Sequence, residues 1–266
     1  MGLHHVRMGS GPTLVLVHGL GGSLVNWEPV MELVARERDV IAVDLPGFGD
    51  SDPLPDGTPH SPVEMGRAIT AHLRSLGVER PHLAGNSLGA WATLEMAADE
   101  EAASVLCISP AGLWRNALGP RTFNSRRLGS WLRPLVMAVL ATERGRRALL
   151  RGTVARPDLM SKDEARRWVG AWLDAPGYDD ANKWMRKEPF SRADEIDVPV
   201  TIVWGEEDGL VAPPRPERMP AHTDYKTVAG WGHTPTRDDP EGVARLLVEA
   251  SAELPTPAAA ANIRAT

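Results

Sequence analysis

The segment around residue 87 constrains the fold of this chain more than any other. An apolar run at 81–85 leads into Gly85-x-Ser87-x-Gly89, and a helical pattern follows. A serine between two glycines at a strand-to-helix turn takes a strained backbone conformation that carries its Oγ clear of the turn. Glycine is needed on both sides because a Cβ there would collide with a neighbouring strand or helix. The turn predicts a nucleophilic serine, Ser87, which needs a base and an acid from elsewhere in the chain.

Strand and helix patterns alternate along most of the sequence. Alternation of this kind predicts an α/β fold, a mostly parallel sheet with helices on both faces and ligands at the carboxyl ends of the strands. Residues 2–8 are expected to add one antiparallel edge strand. The predicted central strands are 13–17, 39–43, 81–85, 103–108, 198–204 and 224–229, and the predicted helices are 24–37, 61–76, one after Ser87, and 239–253.

Residues 112–195 differ in composition from the rest of the chain. They hold 17 lysines and arginines against 10 acidic residues, whereas the remainder carries a net charge of −13. Five of the nine tryptophans also fall there. Such a contrast predicts a module inserted between a first core part, 1–111, and a second, 196–254. The Pro- and Ala-rich tail 255–266 is expected to be disordered.

Composition excludes several classes of protein. Cys107 is the single cysteine, so neither a disulfide framework nor a cysteine-based metal site can be built. The start of the chain lacks the apolar core of a signal peptide, and no apolar run reaches membrane-spanning length. We therefore expect a cytoplasmic protein without a transmembrane segment. The sequence leaves the oligomeric state open.

Other ligands are also not expected. Leu24 breaks the Gly-x-Gly-x-x-Gly pattern that the glycines after residue 18 would need for a dinucleotide. No binding motif accompanies the basic charge, so we expect no nucleic-acid partner and a solvated arginine face. His4 and His5 are expected to face solvent, and no metal-ligand cluster is predicted.

Two further strand ends carry the partners that Ser87 requires. Asp208 follows the strand at 198–204, and His233 lies in a glycine-flanked loop after the last strand. The chain order of serine, acid and histidine is that of a Ser-Asp-His triad. His233 would take the serine proton, and Asp208 would orient the imidazole. Glu206 and Glu207 are rivals for the acid, and His222 is a rival for the base.

An oxyanion hole is also predicted. The backbone N–H of Leu20, after the first central strand, and that of Leu88, after the serine, would hold the developing negative charge. His18 is expected to support this loop through hydrogen bonds and not to transfer protons.

Together these motifs resemble the α/β-hydrolase family, in its subgroup with a helical cap. The resemblance covers residues 13 to about 253 and implies that 112–195 is the cap, which shapes an acyl pocket, and that no cofactor is used. Members that act as dehalogenases or epoxide hydrolases have an aspartate at the turn, and Ser87 argues against both activities. The motifs that carry the resemblance are His18-Gly19, residues 44–51, Gly85-x-Ser87-x-Gly89, Gly205-x-x-Asp208 and Gly232-His233.

The resemblance implies an enzyme that cleaves a carboxylic ester or related acyl bond through an acyl-enzyme. The substrate is expected to be a small molecule with an apolar acyl or aromatic part. Alternatives are a meta-cleavage carbon–carbon hydrolase, a cofactor-free haloperoxidase or perhydrolase, and a small-molecule receptor on the same fold. For Trp168 and Trp172, which are spaced i, i+4, packing of the cap onto the core is the favoured interpretation over a pocket wall. The candidates for an aromatic pocket wall are Trp27, Trp168, Trp172 and Trp231.

Overall fold

Seven strands form a single sheet in the computed structural model, which describes residues 2–119 and 125–252. Their order is β1-β3-β2-β4-β5-β6-β7; β1 pairs antiparallel with β3, and all other neighbours are parallel. The predicted mostly parallel sheet with one antiparallel edge is confirmed. The predicted disordered tail, 255–266, lies outside the described residues. The strands are β1 (His5–Gly9), β2 (Thr13–Val17), β3 (Asp39–Val43), β4 (His82–Asn86), β5 (Ser104–Ile108), β6 (Val200–Gly205) and β7 (Asp224–Val228).

Four helices of the described chain accompany the sheet and five lie between β5 and β6. The first set is α1 (Glu28–Val34), α2 (Pro62–Ser75), α3 (Leu88–Ala98) and α9 (Pro240–Ala250). The second set is α4 (Ser125–Trp131), α5 (Arg133–Leu140), α6 (Glu143–Leu150), α7 (Lys162–Asp174) and α8 (Tyr178–Met185). Short 3₁₀ turns occupy Leu24–Asn26, Pro157–Leu159, Ala193–Glu195 and Pro216–Arg218.

Helix boundaries follow the local chemistry of capping residues and prolines. The Ser61 hydroxyl accepts the Glu64 N–H and caps the start of α2. The prediction of a single helix over 24–37 is wrong. A 3₁₀ turn covers Leu24–Asn26 with Trp27 as its C-cap, and a separate helix, α1, begins at Glu28. Pro29 explains the break, because it has no N–H with which to continue an i to i−4 ladder.

Alternate strand residues supply two separate cores, one on each face of the sheet. Val15 and Val17 of β2 belong to the larger core, which also takes in the apolar side of α3. Leu14 and Leu16 belong to the other, beneath α1 and α9. The central strands of a parallel sheet covered on both faces are buried, which is why β2 to β6 are nearly continuous apolar runs.

The prediction that His4 and His5 face solvent is wrong, since both are half-buried. His4 Nδ1 donates to the buried Asp44 carboxylate at 2.8 Å, and His5 contacts the His72 ring edge-on. Asp50 lies beside the first pair, so three side chains group as in a metal site. Asp44 Oδ2 also accepts the Asp50 amide at 3.0 Å, and hydrogen bonds therefore account for this grouping.

In the part of the chain that the structure describes, no helix combines the length and the apolar character that crossing a bilayer requires.

Candidate active site

Ser87 sits at the turn between β4 and α3 in a strained backbone conformation. Its φ is 54° and its ψ is −116°. A Cβ on Gly85 would lie 2.4 Å from the Ala90 nitrogen, and one on Gly89 would lie 2.3 Å from the His18 carbonyl oxygen. Both approaches are shorter than any real Cβ contact, so the predicted need for glycine on each side of Ser87 is confirmed.

The structure brings Asp208 and His233 together at the carboxyl ends of β6 and β7. His233 Nδ1 donates to Asp208 Oδ2 at 2.8 Å, and both side chains are buried. A carboxylate can only accept, so the imidazole proton is on Nδ1 and Nε2 is left with a free lone pair. The amides of Leu210 and Val211 donate to the other carboxylate oxygen at 2.8 and 3.1 Å.

Asp208 is held in its ionised form. Burial alone would raise the pKa of the Asp208 carboxyl, but hydrogen bonds from His233 and from the Leu210 and Val211 amides outweigh it, and the pKa is lowered. A carboxylate in this state fixes the tautomer of His233 and stabilises an imidazolium. The rival carboxylates Glu206 and Glu207 are exposed, as is the rival base His222.

Asn86 connects the serine turn to the histidine loop. Its amide Nδ2 donates to the His233 carbonyl at 2.8 Å and to the Ile108 carbonyl at 3.1 Å. The amide oxygen accepts the Thr234 hydroxyl at 3.1 Å. The residue next to Ser87 therefore fixes the backbone of His233, although none of the hydrogen bonds described for this chain joins the Ser87 hydroxyl to the imidazole. Sequence reasoning assigned Asn86 no role, since its partners lie 147 and 148 positions away.

Asp238 ties the histidine loop to the helical segment. Its carboxylate accepts the amides of Gly232 at 2.8 Å, Ala155 at 3.0 Å and Arg156 at 2.9 Å. The Thr234 amide also donates to the Thr153 carbonyl at 2.8 Å. Sequence reasoning missed this residue as well, because nothing near it in the chain indicates what its carboxylate would bind.

The loop that carries Asp208, which we call the acid loop, contacts the backbone segment 152–156, which we call the strap. The Gly209 amide donates to the Gly152 carbonyl at 3.2 Å, and a Cβ on Gly209 would lie 2.7 Å from the Gly152 Cα. Residues 152–156 thus contact both the loop of Asp208 and the loop of His233. This pair of glycines lets two backbones approach more closely than any side chain would allow.

The loop after β2 lies against the nucleophile. A Cβ on Gly19 would lie 3.0 Å from the Ser87 Cβ. Within the described hydrogen bonds, neither the Leu20 amide nor the Leu88 amide donates to an acceptor. Leu88 is the first residue of α3, so its amide is one of the unpaired donors at a helix N-terminus, where the dipole favours negative charge.

His18 fixes this loop as a neutral imidazole. Nδ1 donates to the Gly19 carbonyl at 2.8 Å, and Nε2 accepts the Leu45 amide at 3.0 Å. Complete burial lowers the pKa of His18 against the opposing effect of the Asp44 charge. Its role is the hydrogen-bonded support that the sequence predicts.

The four candidate pocket tryptophans occupy three different places. Trp27 and Trp231 pack in the core beneath α1 and α9, and Trp168 packs in a separate core of the helical segment. Trp172 alone has a described contact with the loop of Leu20: its Cδ1 lies 2.5 Å from where a Cβ on Gly21 would stand. An aromatic wall built from all four stays a prediction.

A groove of about 1140 Å³ lies beside the acid loop. Three arginines of α6 and its C-terminus, Arg144, Arg147 and Arg151, line one part of it, and Glu206 and Glu207 line another. Asp208 and Gly209 of the acid loop also line this groove, whereas neither Ser87 nor His233 does.

Comparison with known proteins identifies the family. Residues 14–246 match the model of the alpha/beta hydrolase family, and the chain belongs to that family. Among solved structures, the crystal structure of Cfl2 from Burkholderia cenocepacia is similar, with a TM-score of 0.71 and 24% sequence identity over 94% of this chain and 92% of that one. The fold prediction is confirmed, and family membership supports a hydrolase.

Two curated relatives differ in what they do. The dihydrolipoyllysine-residue acetyltransferase component of the acetoin cleaving system of Cupriavidus necator is 28% identical over 87% of this chain, which spans 61% of that relative's length. RutD of Escherichia coli O6:H1, provisionally named a carbamate hydrolase, is 28% identical over 91% of this chain and 89% of its own.

Proposed function

We propose that this protein is a serine hydrolase that cleaves a carboxylic ester, or a related acyl bond, through a Ser87 acyl-enzyme. The observation that carries the proposal is the Asp208–His233 hydrogen bond of 2.8 Å, held beside the strained Ser87 turn by Asn86. An ionised acid, a histidine whose Nε2 can accept a proton, and a serine at a strained turn form the constellation that acyl transfer requires.

In the acylation step, Ser87 Oγ attacks the carbonyl carbon and its proton passes to His233 Nε2. Catalytic hydrogen bonds of this kind commonly close only when substrate binds. The carbonyl oxygen becomes an oxyanion, which the Leu20 and Leu88 amides would hold. Each such donor contributes roughly a hundred- to a thousand-fold in turnover. His233 then protonates the leaving alcohol, and the acyl group stays on Ser87.

In deacylation, His233 takes a proton from water, whose oxygen attacks the acyl carbon. The same two amides stabilise the second oxyanion, and the acid leaves as Ser87 regains its proton. Asp208 stays ionised through both steps and stabilises each imidazolium. The lowered pKa of its carboxyl supports that role.

We further propose that the segment 112–195 acts as a cap over this site. Its support is the strap 152–156 against both catalytic loops, together with Trp172 against the loop of Leu20. Trp172 also meets Tyr178 edge-on, so this corner is aromatic. An aromatic corner favours small substrates with an apolar acyl or aromatic part. We also propose, as the sequence predicts, that the protein is cytoplasmic.

Labelling of the active serine tests the nucleophile. A fluorophosphonate probe should label the wild-type protein, and Ser87→Ala should abolish that labelling. Ser109→Ala is the matched control, because Ser109 is another buried serine at the end of the neighbouring strand β5, and labelling should survive there. Labelling that persists in Ser87→Ala would overturn the assignment of the nucleophile.

A substrate panel tests the reaction class. Chromogenic esters of graded acyl size should give an acyl-enzyme burst followed by steady turnover. Alkyl carbamates belong in the panel because RutD is provisionally named for that activity. Turnover of meta-cleavage products alone would replace the ester proposal with carbon–carbon hydrolysis, and a burst without turnover would indicate a receptor.

A further inference from the structure

An apolar face lies on the outside of α4 and α5. Leu128, Trp131 and Leu135 are all exposed, and the indole of Trp131 is 79% exposed. Their spacing places them on one side of a nearly continuous helix, since the Leu132 amide donates to the Leu128 carbonyl at 2.9 Å across the junction. Large apolar side chains that are grouped and exposed in this way mark an interaction surface. We call Leu128, Trp131 and Leu135 the α4–α5 face.

The chain around this face is strongly basic. Residues 125–151 contain seven arginines and one acidic residue, a net charge of +6, while the rest of the chain carries −12. Arg127 adjoins the face; its side chain is 78% exposed, and its Nε lies 3.6 Å from the Asp179 carboxylate. Helix α6, which packs on α5, adds the arginines at 144, 146 and 147. A molecule with this charge asymmetry turns its basic end toward an anionic surface.

The opposite side of α4 packs toward the candidate active site. A Cβ on Gly129 would lie 3.1 Å from Leu173 and 3.5 Å from Trp172. Trp172 in turn lies against Gly21 in the loop that carries Leu20. Helix α7, which carries Trp172, therefore lies between α4 and the loop of Leu20, and the α4–α5 face is on the outer side of α4.

We propose that the α4–α5 face binds the surface of an anionic lipid bilayer, with Trp131 in the headgroup region and the neighbouring arginines near lipid phosphates. Tryptophan is enriched at that depth, and a helix with Trp and Leu on one face among arginines lies in the plane of the interface. A second copy of the chain is a poorer occupant, because it would bring two basic surfaces together. A nucleic acid would offer phosphates but no apolar phase for Leu128 and Leu135. The proposal does not depend on the proposed reaction.

A single fluorescent label tests contact with lipid. Burial raises the pKa of the Cys107 thiol to about 12, so a new surface cysteine is the one that a polarity-sensitive dye labels. Trp131→Cys carries the dye on the face, and Tyr225→Cys carries it on the exposed aromatic position of edge strand β7. Vesicles containing phosphatidylglycerol should shift the emission of the dye at 131 to the blue and leave the dye at 225 unchanged.

Charge reversal tests the electrostatic part. Each basic side chain near an anionic leaflet contributes about fivefold in binding. Arg144→Glu with Arg147→Glu should weaken sedimentation with phosphatidylglycerol vesicles by at least about tenfold. The matched control is Arg67→Glu with Arg74→Glu on α2, two arginines of similar exposure, which changes the net charge equally and should leave binding within about threefold.

Several outcomes would overturn the proposal. One is an unshifted dye at 131 with anionic vesicles, and another is equal binding to pure phosphatidylcholine. A third is a dimer in light scattering that Trp131→Ser disperses, which would assign the face to a second copy. A fourth is a blue shift with an oligonucleotide but none with vesicles. Circular dichroism of each variant confirms that the fold is retained, which is expected at positions this exposed.

Discussion

The loops around Ser87 and the helices α4 to α6 are held in place by different means. Around Ser87, the side chains of Asn86 and Asp238 form hydrogen bonds with backbone atoms of distant loops, and the Asp208 carboxylate accepts amides of its own loop. In the helices, several ion pairs join exposed side chains, for example Arg147 with Glu143. Hydrogen bonds to charged groups contribute about 1.5–3 kcal/mol each, whereas exposed ion pairs contribute about 0–1 kcal/mol each.

This difference matches two requirements: the catalytic groups must be held rigidly, whereas the helical surface can adjust. A triad works only when its groups hold a narrow geometry, because small displacements cost large factors in rate. A surface that binds a lipid bilayer needs exposed apolar and basic side chains more than it needs those side chains in fixed positions. The following variants test this contrast, beginning with the largest expected effect.

Asp208→Asn should lower turnover of an ester by about four orders of magnitude, as replacement of a triad aspartate does. The asparagine oxygen can still accept hydrogen bonds from the Leu210 and Val211 amides. The substitution removes the negative charge, however, and the asparagine NH₂ favours the His233 tautomer without a proton on Nδ1. Steady-state kinetics with a chromogenic ester measures the loss. Full activity in this variant would move the acid to Glu206 or Glu207, which should then be replaced in turn.

Gly89→Ala should lower the free energy of unfolding by about 3 kcal/mol or more, because the new Cβ meets backbone that cannot give way. Gly170→Ala, inside α7, is the matched change in the helical segment. Its Cβ would meet only an Arg133 guanidinium nitrogen at 3.8 Å. Alanine there should raise the free energy of unfolding by about 0.5–1 kcal/mol. Urea titrations measure both, and equal effects would contradict the contrast between the backbone packed around Ser87 and the helical segment.

Asp238→Ala should reduce kcat by about tenfold to a hundredfold, since it frees the loop of His233 from the strap 152–156. Asp238→Asn retains one acceptor oxygen and should fall between this variant and the wild-type protein. A lowered melting temperature with unchanged kcat would mean that Asp238 serves stability alone.

Acid should destabilise the fold through His18. Burial lowers the pKa of His18 in the folded protein, so the unfolded chain binds the extra proton first. The free energy of unfolding should therefore decline as the pH falls through 6.5, the ordinary value, and on toward the lowered one. His18→Gln should flatten that decline in urea titrations at several pH values. Histidine NMR provides a second measurement, and a His18 ring that is protonated in the folded protein near pH 6.5 would contradict the prediction.

Local patterns in the sequence were enough to predict the sheet and the catalytic candidates. The apolar runs, the glycines around Ser87 and the strand-end positions of Asp208 and His233 all depend on a few adjacent residues. The helix predicted over 24–37 failed because apolar periodicity alone did not account for Pro29. Half-burial of His4 and His5 was missed since their partners, Asp44 and His72, lie far along the chain.

The sequence by itself determined that this chain forms a strand–turn–helix elbow around Ser87 within an α/β-hydrolase fold, because backbone strain and strand order are encoded by neighbouring residues. Only the tertiary structure decided which carboxylate meets His233, that Asn86 and Asp238 hold its loop, and that Trp131 stays exposed while Trp27 and Trp231 enter the core. Those outcomes depend on contacts between segments 25 to 147 positions apart. Packing of the whole chain selects such contacts, and no local pattern specifies them.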